Sequence, residues 1–294
     1  MRLELTETQA LIRNTARTFA RERVAPGARD RDRSGHFPAE LLLEMAELGL
    51  LGVNVPAEYG GAEAGAISYA LAMMEIAEAC ASTAVAMAVT NMCAELITAF
   101  GTEEQKRKYV TRLTSGQAVA GAFALSEPQA GSDASALETR AERTRDGWAL
   151  NGSKQWITSG DKAGVIVVWA RSGGPGAGGL SAFIVEGGTR GLVPGRHEDK
   201  MGLRASTTVP LQFEDCRLPA DALLGQEGQG FRLAMMALDG GRIGIASQAC
   251  GVARAALAAA VRYTRERKVF GKSVADFQAK SVTRLAINSH VFMR

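Results

Sequence analysis

Histidine and cysteine are scarce in this chain: three histidines (His36, His197, His290) and four cysteines (Cys80, Cys93, Cys216, Cys250) among 294 residues, with no C-x-x-C pair. That excludes a disulfide framework and a His/Cys metal site, and it suits a reducing compartment, so a cytoplasmic location is expected. Neither sign of charge prevails. Against 34 Lys and Arg stand 31 Asp and Glu, a net +3, too weak a field for a general polyanion binder, so no nucleic-acid partner is expected. Long uncharged apolar runs are missing as well. The most apolar stretch, Ile67 to Phe100, is interrupted by Glu75, Glu78, Asn91 and Glu95. A charge at the bilayer centre costs about 2.5–3.5 kcal/mol, so core helices and not a membrane span are expected. Residues Met1 to Thr6 contain no apolar core of a secretory signal, and without that route the Asn151-Gly152-Ser153 sequon reads as a turn. Several motifs are also missing: no G-x-G-x-x-G after a strand, no G-x-S-x-G and no H-E-x-x-H. Gly271-Lys272-Ser273 resembles the tail of a P-loop, but Glu266 occupies the place of its first glycine.

What is present is an ordinary globular composition, 46% hydrophobic and 22% charged, with chain enough for about two domains. The pattern is helical over residues 1–117. Thr6 and Gln9 form a capping box before Leu11, Ile12, Ala16, Phe19 and Ala20 at helix spacing, ending at Pro26. A second helix runs from Pro38 to about Leu50. Two Ala/Met-rich helices, Ser68 to Ala79 and Ser82 to Phe100, are apolar over most of their circumference, and Thr102 with Gln105 caps a short one. Over 118–224 the period changes to that of strands: Ala118–Leu125, Leu137–Arg143, Trp148–Leu150, Lys154–Thr158, Val165–Ala170, Ser181–Val185 and Val209–Phe213. Asp146-Gly147 and Asn151-Gly152 predict hairpin turns. A compact sandwich or barrel is expected, not a doubly wound fold, because no crossover helix separates the strands. Helical pattern returns over 225–294, from about Gly230 through Arg265. That unit supplies about one long helix and the start of another where a four-helix bundle needs four, so the C-terminal bundle is expected to be incomplete in this chain.

Four segments carry chemistry-bearing residues. Phe123-Ala124-Leu125-Ser126-Glu127-Pro128-Gln129-Ala130-Gly131-Ser132-Asp133 leaves a strand and can turn its N–H groups and a hydroxyl toward an anion, though the same residues suit a plain surface turn. Lys154-Gln155-Trp156-Ile157-Thr158-Ser159-Gly160 offers an indole and a hydroxyl at strand spacing, fit for a planar ring ligand or for the domain core. Asp239-Gly240-Gly241-Arg242 sets opposite charges at i,i+3. Arg265-Glu266-Arg267-Lys268-Val269-Phe270-Gly271-Lys272 has the cations of a helix C-terminus, which could equally meet a phosphate.

In this order, together with Lys200-Met201-Gly202-Leu203-Arg204 and Leu224-Gly225-Gln226-Glu227-Gly228-Gln229-Gly230, these motifs resemble the acyl-CoA dehydrogenase family to about Gln278. The Leu238–Ala249 run is most similar to short-chain and branched short-chain members. The resemblance implies an α+β multidomain fold with FAD between the strand domain and the last helices. Phe123, Ala124, Leu125 and Ser126 would lie along the flavin ring, Ser132 near the cofactor phosphate and the substrate, and Trp156, Ile157 and Thr158 on the ring's other side. Arg267, Phe270 and Gln278 would reach the FAD of a neighbouring subunit, and Asp239 and Arg242 would line the acyl-CoA pocket. It implies α,β-dehydrogenation of a short or branched acyl-CoA to the trans-2-enoyl-CoA, a homo-oligomer (a tetramer), and electron delivery to an electron-transfer flavoprotein. The sequence departs from the family at the catalytic base. Most members carry their glutamate later than this chain extends, and a minority carry it where Gly241 stands, so no residue carries over as the base. The stripe of the next family helix also fades over Lys280 to His290, and the chain reads as C-terminally truncated. The competing expectations are a non-catalytic flavin- or CoA-ester-binding remnant or assembly partner, and an oxidase or monooxygenase of the same superfamily.

Overall fold

A computed structural model describes residues 4–277; Gln278 and the Lys280–His290 stretch lie outside them. The first domain is helical: α1 (Glu7–Phe19), α2 (Ala28–Ser34), α3 (Ala39–Glu47), α4 (Gly65–Ala79), α5 (Ala81–Phe100), α6 (Glu103–Gln105) and α7 (Thr111–Thr114). Both capping boxes form. The Thr6 hydroxyl accepts from the Gln9 N–H at 3.3 Å while Gln9 returns the bond at 3.0 Å, and Thr102 and Gln105 repeat the pair. A π turn over Ala20–Val24 carries the chain past α1, and α2, which the periodicity did not predict, follows Pro26. The polar residues that interrupt the apolar stretch are structural pins. Asn91 is fully buried and bridges Val53 N–H (3.0 Å) and Leu50 C=O (2.9 Å), while Glu75 receives a two-pronged Arg17 at 3.0 Å.

The middle domain is one eight-stranded sheet: β1 (Gly121–Ala124), β2 (Arg140–Thr144), β3 (Gly147–Thr158), β4 (Val165–Arg171), β5 (Leu180–Glu186), β6 (Leu192–Pro194), β7 (Thr208–Pro219) and β8 (Leu223–Leu224). The order is β6-β7-β3-β2-β4-β5-β8, with β1 parallel to β4. Trp148 of β3 meets Phe183 of β5 edge-on at 5.0 Å although these strands are not neighbours. The sheet therefore bends back over a shared core that includes Ala122, Ala124, Leu150, Ile157 and Leu211. Asp146-Gly147 makes the expected hairpin, but Asn151-Gly152 does not turn the chain. β3 runs straight through it with a register shift between Leu150 and Gly152. The reason is local: Gly152 adopts φ 144°, where a Cβ would sit 2.7 Å from Thr139 Cα, and Asn151 Oδ1 accepts from the Asp215 N–H at 2.8 Å across the irregularity. Asn-Gly thus serves a bulge instead of a hairpin.

Alternation along β1 decides how the domains join. Ala122 and Ala124 face the sheet's own core, while Phe123 packs with Val167, Trp169 and the helical side. Trp169 is fully buried, lies 4.3 Å from the Phe123 ring and donates its indole N–H to Gly230 C=O at 2.7 Å. That bond docks the first turn of α8 (Gly230–Glu266), a single helix of 37 residues. Its internal glycines do not break it; they let it lie close to α4, since a Cβ at Gly251 would meet Met74 C=O at 2.4 Å and one at Gly244 the Tyr69 hydroxyl at 2.6 Å. Beyond these contacts Ile243, Ile245, Val252 and Tyr263 are exposed. Both α5 and α8 are long and apolar enough to cross a membrane by composition; 67% of the α5 window is packed inside the protein, against 22% for α8. Two short strands, β9 (Lys268–Val269) and β10 (Lys272–Ser273), and a 3-10 turn (Val274–Asp276) close the described chain.

Candidate functional site

Two segments remote in sequence are tied together where β1 ends. After Ala124 the chain turns through Glu127–Ala130, whose backbones exchange hydrogen bonds of 2.9 and 3.2 Å, and the Ser126 carbonyl accepts from the Gln155 N–H at 2.9 Å. On the β3 side the register slips between Lys154 (opposite Leu211) and Ile157 (opposite Val209), so Gln155 and Trp156 together face Pro210. Proline cannot donate to a ladder and is tolerated inside a sheet at such a bulge. Trp156 takes a left-handed backbone, φ 58°, and leaves its indole 64% exposed. A bulky residue held there costs about 1–2 kcal/mol, and a large apolar ring facing water gains nothing from burial. Of the two readings open at the sequence level, the core reading fails: the sheet's core holds Trp148, and Trp156 faces solvent.

Two residues before Trp156 on β3 lies one half of a buried ion pair. Lys154 is completely buried; its ammonium donates to Leu125 C=O at 3.0 Å and to Glu127 Oε1 at 2.7 Å. Glu127 also accepts from the Thr139 N–H (3.0 Å), the Glu138 N–H (2.6 Å) and the Gln129 amide (2.7 Å). Burial lowers the Lys154 pKa to about 8 against the opposing pull of Glu127. For Glu127, burial raises the pKa, but the Lys154 charge and the donors together hold it below the ordinary carboxylate range. Sequence reasoning quoted both residues within their segments but gave neither a role, and the register shift between Leu150 and Gly152 leaves no regular alternation from which to read Lys154 as buried.

Around this knot the named residues divide. Ser126 and Thr158 are half-buried, and neither hydroxyl has a hydrogen-bond partner among the described residues. Ala124 and Ile157 are sealed in the sheet core, so only their backbones can meet a ligand. Ser132 is exposed, followed by a turn that Asp133 caps by accepting from the Ser135 N–H at 3.1 Å. Arg171 fixes the far side of that loop through Ser135 C=O (2.7 Å) and holds the glycine-rich loop through Gly174 C=O (2.7 Å). Arg267 caps α8 and Phe270 sits at the tip of the β9–β10 hairpin with φ 50°, 91% exposed; β10 packs back on α8. Asp239 and Arg242 pair with each other on an exposed face of α8.

Beside that face, between α5 and α8, lies a cavity of about 300 Å³ lined by Asn54, Met92, Glu95, Phe100, Met236 and Gly240. Burial raises the Glu95 pKa, and the Asn54 amide, donating at 2.9 Å, offsets part of the shift. Asn54 and Glu95 lie 41 residues apart in no local motif, and the sequence offered no sign of their meeting. The unpartnered hydroxyls and the exposed indole fit an aromatic, hydrogen-bonding ring, and the cavity fits a short apolar chain. No cluster of metal-ligating side chains occurs among the described residues.

Comparison with known proteins identifies the family. Residues 6–117 match the acyl-CoA dehydrogenase N-terminal domain, 122–216 the middle domain and 228–287 the C-terminal domain. The short-chain specific acyl-CoA dehydrogenase of Bos taurus is 47% identical over 279 residues, 94% of this chain and 68% of the relative. The butyryl-CoA dehydrogenase structure from Megasphaera elsdenii superposes with a TM-score of 0.93 at 42% identity, over 99% of this chain and 77% of that one. A chain in the structure of the electron transferring flavoprotein of Acidaminococcus fermentans gives 0.95 at 44% identity, covering 98% of this chain and 76% of the other. With all three of its domains represented in order, the chain belongs to the acyl-CoA dehydrogenase family, whose chemistry rests on a flavin.

Proposed function

We propose that the protein is an FAD-dependent acyl-CoA dehydrogenase that converts a short- or branched-chain acyl-CoA to the trans-2-enoyl-CoA. The observation that carries this reading is the strained, solvent-facing Trp156, bound through its neighbour Gln155 to the Ser126 carbonyl. When bound, the flavin supplies the hydride acceptor. This chain supplies the frame. Trp156 presents an aromatic wall, and Ser126 and Thr158 present hydroxyls able to hydrogen-bond the ring's polar edge. Phe123, braced by Trp169, and Leu125 shield it from water on the helical side. Ser132, on its exposed loop, and the cation Arg267 suit the cofactor's phosphates, and Phe270 accompanies Arg267 toward a neighbouring subunit in a homo-oligomer. The cavity between α5 and α8 takes the acyl chain, with Asp239 and Arg242 at its mouth. Gly241 offers no side chain, and no residue of this chain is assigned as the base. Electrons leave to an electron-transfer flavoprotein, a reading supported by the Acidaminococcus fermentans likeness, and the enzyme works in the cytoplasm.

The test is anaerobic addition of butyryl-CoA to the flavin-loaded protein. Bleaching of the yellow absorption is expected. A protein that binds flavin and stays yellow would instead be a binding remnant, and oxygen uptake without any electron-transfer partner would indicate an oxidase.

A further inference from the structure

We propose that the buried Glu127–Lys154 ion pair is a positioning device for the flavin site, fixing the Leu125–Ser126 and Gln155–Trp156 backbones against one another so that the cleft is formed before the flavin arrives. This rests on the assignment of Ser126 and Trp156 to the flavin. Stability alone does not account for the pair. Taking two charges out of water costs several kcal/mol per ion, and an apolar pair of similar volume is often as stable or more so. What an apolar pair cannot do is point. The Lys154 ammonium grips the carbonyl of Leu125, one residue before Ser126, while its own backbone lies two residues before Trp156. Glu127, one residue after Ser126, receives Lys154 together with the first residues leading into β2, Glu138 and Thr139. The Gln155 N–H to Ser126 C=O bond lies between these two anchors. The segment leaving β1, the segment entering β2 and the side chain of Lys154 on β3 thus meet at one carboxylate, adjacent to the bulged tryptophan whose backbone is strained. Hydrogen bonds in such a low-dielectric interior are stronger than in water and hold the groups they join.

The experiment compares wild type, the double variant Lys154→Met/Glu127→Gln, and a control core truncation, Trp148→Leu, which weakens the same domain away from the pair. The readouts are the FAD dissociation constant by fluorescence titration, the midpoint potential of the bound flavin, and hydrogen exchange of the apoprotein. The double variant is expected to bind FAD at least about tenfold more weakly, the scale of losing hydrogen bonds to charged groups. It should shift the potential and exchange faster in residues 123–133 and 154–159 alone. The control, even at equal loss of melting temperature, should keep its affinity and potential. Affinity within about twofold of wild type in the double variant, equal weakening in the control, or faster exchange spread over the whole domain would each overturn the proposal. Should wild type bind no flavin, the functional reading fails, and the exchange pattern by itself still decides whether the pair orders these two segments.

Discussion

The two sides of the cleft are built on opposite principles. On the β side directed polar bonds pin the elements around the site: Trp169 locks α8 to the sheet, Lys154 and Glu127 lock the end of β1 to β3, and Arg171 locks two loops at once. On the helical side, past Gly251, α8 leaves Val252 and Tyr263 exposed, and Asp239 and Arg242 contact mainly each other and water. The contrast teaches that the half proposed to touch the ring is preorganised by buried polar bonds, whereas the half proposed to meet the acyl-CoA is held by close helix packing at small residues. The first is specified by direction, the second by volume.

The largest effect should come from breaking direction without replacing it. Lys154→Met alone leaves Glu127 buried without its counter-charge, and unpaired buried charges cost about 3–5 kcal/mol. Urea unfolding of the apoprotein should show that loss, and adding Glu127→Gln should recover much of it. On the volume side, Gly251→Val drives side-chain atoms into Met74 C=O, which a Cβ would already approach to 2.4 Å. Overpacking of this kind costs about 1–3 kcal/mol. It should pry α8 from α4 and weaken butyryl-CoA binding while leaving FAD affinity less affected; equal loss of both ligands would erase the distinction between the two sides.

A smaller change should move stability and function apart. Trp156→Gly removes a left-handed tryptophan that is 64% exposed, so the apoprotein should gain up to about 1 kcal/mol in urea unfolding. FAD binding should fall in the same variant. A variant that loses stability instead would mean that the indole packs against its own chain and that the bulge is not strained for the ligand's sake.

How much of this was legible beforehand follows the same divide. The capping boxes, the apolar helices and the Asp146-Gly147 hairpin depend on neighbours within a few residues, and the pattern gave them directly. The domain order came from the motifs taken together. Asn151-Gly152 was misread because its role is set by Asp215, 64 residues away, and a glycine's left-handed freedom serves a bulge as well as a turn. Trp156 was ambiguous for a related reason: alternation assumes a regular strand, and the slip opposite Pro210 breaks it. The Lys154–Glu127 pair and the Asn54–Glu95 contact span 27 and 41 residues, and no local periodicity reports on which charges fold inward together.

The mildest probe is pH. Lys154 has a pKa of about 8 in the folded protein against the ordinary lysine value of 10.5, so above about pH 8 the unfolded chain holds the proton more firmly than the native one. Wherever the unfolded state binds more protons, stability rises with pH, and this group therefore adds stability from about pH 8 up to about pH 10.5. The same deprotonation removes the charge that grips Glu127 and weakens the hold on Leu125 C=O. Flavin affinity should therefore fall modestly over the interval in which this group's contribution to stability grows. Titrating FAD between about pH 7 and pH 9.5, in wild type and in Lys154→Met/Glu127→Gln, isolates the effect. Wild type should lose affinity toward the alkaline end while the double variant, having no proton to lose at that position, stays flat. Parallel curves in the two proteins would mean that the pH response originates elsewhere and that the β side keeps its geometry without the ammonium charge.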